Sequence, residues 1–74
     1  MKTLMTFEDF KNIILGLLEE AGIKSRVWFE QDDHGKFVAR TKEALFIGRA
    51  SSFKITTRWG SGHQAMFDAR RATA

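Results

Sequence analysis

The 74 residues contain no cysteine and no proline. Without cysteine there is no disulfide framework, no thiolate metal site and no thiol nucleophile. Without proline there is no cis-proline turn. Long apolar runs are missing as well: none approaches the roughly 18 residues that a membrane span needs. Met1-Lys2-Thr3-Leu4-Met5 leads straight into a helix pattern with acids in its first turn, which is not the pattern of a signal peptide. What is present is 43% hydrophobic residues, too many for a disordered chain. The expectation is a single cytoplasmic domain spanning residues 1–74, with a frayed tail at about 70–74. A domain this small and unstapled is held by its core alone or by a partner subunit.

Charge is divided along the chain. Residues 1–23 carry two basic and four acidic side chains, whereas residues 24–74 carry ten basic and five acidic, giving +3 in all. An acidic helix followed by a basic remainder is the simplest reading. The helix signals are strong. Thr6-Phe7-Glu8-Asp9 matches a capping box, with Met5 and Phe10 placed for a hydrophobic staple. Ala21-Gly22-Ile23 reads as a Schellman stop, so the helix is expected over about residues 6 to 21. Phe7, Phe10, Ile13, Ile14, Leu15, Leu17, Leu18 and Ala21 cover roughly 200° of its circumference, wider than one sheet contact requires. Either the helix sinks into a curved sheet, or one flank, Ile13 or Leu15, meets a second subunit or partner.

After Lys24-Ser25 the apolar period becomes two. Residues 26–31, 36–40, 53–59 and 63–67 read as strands. Asp32-Asp33-His34-Gly35 and Gly60-Ser61-Gly62 read as hairpin turns. Residues 41–48 fit a third strand or a short helix capped by Thr41 and stopped by Gly48, and the short Leu45-Phe46-Ile47 run favours the strand. The fold class is therefore α+β: an N-terminal amphipathic helix packed on an antiparallel β-meander of four to five strands, in two layers.

Alternation sorts the sheet into two faces. Val27, Phe29, Phe37, Ala39, Phe53, Ile55, Thr57, Trp59, Ala65 and Phe67 point toward the helix. The opposite face receives Arg26, Trp28, Glu30, Lys36, Val38, Arg40, Lys54, Thr56, Arg58, Gln64, Met66 and Asp68. Five cations, two acids and a tryptophan on one face suit a partner with an acidic surface, or the phosphates and bases of RNA or single-stranded DNA. A solubilising, edge-protecting role for the same cations is the plain alternative. The candidate partner-binding residues are Arg26, Trp28, Lys36, Arg40, Lys54 and Arg58, with Ile13 and Leu15 as an alternative interface.

No residue pattern meets the demands of catalysis. His34 lies among two acids on one tight loop, too close in sequence for a closed coordination shell. Gly60-Ser61-Gly62-His63 is not followed by a helix N-terminus that could bind phosphate. Ser51-Ser52 has no base nearby in any motif, and Glu19-Glu20 sits on the acidic helix. No catalytic residue, metal site or cofactor is expected, and the chain is expected not to be an enzyme.

A capped helix followed by a β-meander, with no cysteine and no catalytic set, resembles the short accessory proteins of phages and plasmids of the anti-CRISPR and anti-restriction type. The resemblance is one of general character across the whole chain and carries over no particular residue. It implies stoichiometric binding that blocks a host protein or nucleoprotein complex, as a monomer or homodimer. The basic charge departs from the strongly acidic DNA mimics among such inhibitors. The alternative is a small single-stranded nucleic-acid-binding domain.

Overall fold

The computed structural model describes residues 4–69, and the expected frayed tail at 70–74 lies outside them. Helix α1 runs Phe7–Glu20 between the caps that the sequence signals. The Thr6 hydroxyl accepts the Asp9 amide at 3.0 Å, and the Asp9 carboxylate accepts the Thr6 amide at 3.1 Å. At the other end Gly22 takes φ +70°. The amides of Gly22 and Ile23 donate to the carbonyls of Glu19 and Leu18, completing the Schellman motif.

Five strands follow: β1 (Trp28–Gln31), β2 (Lys36–Arg40), β3 (Ala44–Arg49), β4 (Lys54–Trp59) and β5 (Gln64–Asp68). They form one antiparallel sheet in the order β1-β2-β3-β4-β5. Residues 41–48 are thus not a helix. The Thr41 hydroxyl instead accepts the amides of Glu43 and Ala44, at 3.1 and 3.0 Å, and turns the chain into β3. β1 is shorter than the alternation suggests, and Arg26 precedes it, outside the sheet. β4 begins at Lys54 because Phe53 sits at φ +55°, a left-handed conformation rare for a bulky residue. Its ring is only 1% exposed, and that burial offsets the backbone cost.

The core lies between α1 and one sheet face. Phe7 and Phe10 from the helix mesh with Phe29 and Phe37 from the sheet, at centroid separations of 5.5 to 6.5 Å. Gly48 lets the helix come close, since a Cβ there would stand 3.0 Å from two Phe10 ring carbons. Ile13 is 8% exposed and belongs to this core, so it cannot anchor a partner as the alternative interface requires. Five strands at about 4.8 Å spacing make a sheet near 20 Å wide, and one helix covers only about half of it. Because α1 lies closest to β2, the inner face of β4 and β5 is left less covered. Ala65, expected in the core, is therefore exposed, and Trp59 and Phe67 are only half-buried.

Candidate binding surface

The face of the sheet away from α1 is covered by no other element among the described residues. The strand registers arrange it in rows. One row reads Trp28, Arg40, Leu45, Arg58 and Gln64 from β1 to β5. The next reads Glu30, Val38, Ile47, Thr56 and Met66. Lys36 pairs with Arg49 beyond them, and Lys54 pairs with Asp68. Val38, Leu45 and Ile47, all half-buried, form an aliphatic centre. Arg40 and Arg58 flank it on one side, Lys36, Arg49 and Lys54 on the other.

Leu45 stands between Arg40 and Arg58, which the strand spacing sets about 10 Å apart. These three residues, with Thr41, Lys42 and Trp59, line an open depression of about 440 Å³. Glu43 also borders it, but its carboxylate accepts the Ser25 hydroxyl at 2.7 and 2.8 Å and is turned to that contact. On the helix Lys11 pairs with Glu8, at 3.2 Å. Among the described residues no ion pair joins Lys36, Arg40, Arg49 or Arg58 to a carboxylate, and their field points at solvent. Trp28 is 62% exposed on edge strand β1, and its indole N–H donates to the Glu30 carboxylate at 2.8 Å. That bond fixes the ring on the outer face and leaves its π surface open.

The structure brings Trp28, Lys36, Arg40, Lys54 and Arg58 onto one surface and leaves Arg26 off it. It adds Leu45, Ile47 and Arg49, which the sequence reading did not collect. Their signal is the strict alternation of Ala44-Leu45-Phe46-Ile47-Gly48-Arg49, which runs one residue beyond the favoured strand within 41–48. Leu15 is 47% exposed on the helix, away from these residues.

The histidine loop has a structural task. The Asp32 carboxylate accepts the amides of His34 and Lys36, at 2.8 and 2.9 Å, and closes the β1–β2 turn. These two bonds hold the Asp32 carboxyl below its ordinary pKa. Among the described residues no three His, Asp or Glu side chains are grouped to hold a metal ion. No helix among them is long and apolar enough to cross a membrane. Comparison with known proteins finds no matching family model, curated protein or solved structure.

Proposed function

We propose that the chain is a non-catalytic interaction protein whose outer sheet face binds an acidic protein surface in a stoichiometric complex. One observation carries this reading: an aliphatic centre of Val38, Leu45 and Ile47 ringed by five cations, of which Lys36, Arg40, Arg49 and Arg58 have no carboxylate partner among the described residues. An apolar centre with a polar rim is the anatomy of a protein–protein contact. Arg40 and Arg58 supply the directional donors for partner carboxylates, with Lys36, Arg49 and Lys54 adding charge at the rim. The resemblance to short accessory proteins of phages and plasmids adds a role. The bound partner is a host protein or nucleoprotein complex in the cytoplasm, and binding blocks it.

The exposed Trp28 ring beside Arg40 favours a second reading, RNA or single-stranded DNA stacked and neutralised on the same face. The aliphatic centre argues against it, because bases stack on aromatic rings and only one is exposed on this face. Affinity capture from host lysate, with and without nuclease, separates the two. A protein retained by the native chain after nuclease, and lost by Arg40→Glu/Arg58→Glu, supports the protein-binding reading. Loss of every partner on nuclease treatment supports the nucleic-acid reading. Retention by the folded double variant overturns both.

A further inference from the structure

A second surface lies at the opposite edge from Trp28. Between the end of α1 and the inner face of β4 and β5 runs an apolar cleft of about 360 Å³. Leu17, Ala21, Phe46, Trp59, Ala65 and Phe67 line it. The cleft exists because the single helix does not reach across the sheet. Its outer boundary is the edge of β5. The Trp59 amide donates to the His63 carbonyl, and the Ala69 amide donates to the Phe53 carbonyl. By antiparallel alternation, residues 63, 65, 67 and 69 turn their backbone groups toward β4. Gln64 and Met66 turn theirs outward. Edge strands usually carry lysine, proline or a bulge that discourages pairing. β5, Gln-Ala-Met-Phe-Asp, has none of these, although the chain is basic and β2, β3 and β4 all bear cations.

We infer that β5 pairs with β5 of a second copy of this chain, antiparallel about a two-fold axis at Met66, joining two sheets into one of ten strands. The sequence of β5 is self-complementary in that register. Met66 opposes Met66, so the outward backbone groups of both copies meet. Ala65 opposes Phe67 on the inner face, setting the partner's ring beside the small side chain that leaves the cleft open. Gln64 opposes Asp68 on the outer face, so no like charges stand directly opposite each other. The other edge strand suits self-pairing less well: β1 has only four residues, which gives a shorter ladder than β5. A two-fold pair also closes after two copies, so it gives a dimer and not a fibre. It sets two outer faces side by side without covering either, and it stands apart from whatever those faces bind.

The test uses the whole chain in sedimentation velocity across a range of concentrations. A reversible monomer–dimer equilibrium is expected. Met66→Pro removes an outward N–H while leaving the β4 ladder intact, and should weaken dimerisation about tenfold or more. Ala65→Glu, which puts a charge in the cleft, should weaken it as well. Arg40→Glu, far from β5, should not. Register is read by cross-linking, which is clean because the chain has no cysteine. Met66→Cys places two thiols on Cα atoms about 5.5 Å apart, within disulfide range. Gln64→Cys places them more than about 13 Å apart. Mild oxidant should therefore link the first variant and spare the second. A monomer at every concentration overturns the inference, including the case in which β5 receives a strand of another protein. So does equal cross-linking of the two cysteine variants, or a dimer untouched by both Met66→Pro and Ala65→Glu.

Discussion

Two glycines show how differently one residue type is used. Gly48 in β3 faces the helix, where a Cβ would lie 3.0 Å from Phe10 and 3.1 Å from the Met5 Cε. In Gly48→Ala the Phe10 ring and the Met5 side chain must give by a few tenths of an ångström, and a cost of about 1–3 kcal/mol is expected for such overpacking. Gly16 sits mid-helix and exposed, and a Cβ there meets nothing within 4 Å. Nothing in the structure explains that glycine. Gly16→Ala should stabilise the chain by about 0.5–1 kcal/mol, because alanine restricts the unfolded chain and favours the helix. Urea unfolding of the two variants checks both signs. A destabilising Gly16→Ala would mean that the helix surface is approached closely by something in the folded protein.

At the scale of elements, the turns and caps were legible because their residues act on neighbours three or four positions away. The Thr6 and Asp9 box, the Gly22 stop and the Gly35 turn all follow from local backbone chemistry. What local chemistry could not show was how far one helix reaches across five strands. Ala65 and Trp59 alternate onto the inner face as expected, yet that face is partly open there. The outer face was legible in composition but not in its centre, since Leu45 and Ile47 needed β3 to be a strand. The β1–β2 turn also makes a pH prediction. Asp32 accepts two amides, which lowers its carboxyl pKa in the folded state. A depressed carboxyl adds stability above its unfolded value of about 3.9, and loses it as pH falls through the folded value. Asp32→Asn keeps an acceptor but does not titrate. The stability gap between the native chain and Asp32→Asn should therefore shrink from neutral pH to strongly acid pH in thermal melts. A gap constant with pH would show that the charge on Asp32 contributes nothing to the turn.

Across the whole molecule, charge is biased by layer. Glu8, Glu19 and Glu20 lie exposed on α1, and the cations of β2, β3 and β4 face the other way. If the proposed sheet-face contact holds, such polarity orients an acidic partner toward the sheet before contact, and the cations act mainly on association. On the proposed contact Trp28, at the end of the Arg40–Leu45–Arg58 row, serves instead as an anchor that desolvates on binding. The two roles separate in kinetics. Arg40→Glu and Arg58→Glu should slow association and reduce its dependence on salt. Trp28→Ala should leave association nearly unchanged and speed dissociation. Leu15→Glu, on the exposed helix, should alter neither rate if the sheet face is the contact. Surface plasmon resonance against the captured partner, at low and high salt, reads all three. The self-pairing edge adds an internal contrast. Each copy bears a net charge of +3, so raising salt, which screens repulsion between copies, should weaken partner binding without weakening the dimer. Fast association by the arginine variants together with loss of binding in Leu15→Glu would move the contact to the helix and overturn the sheet-face reading.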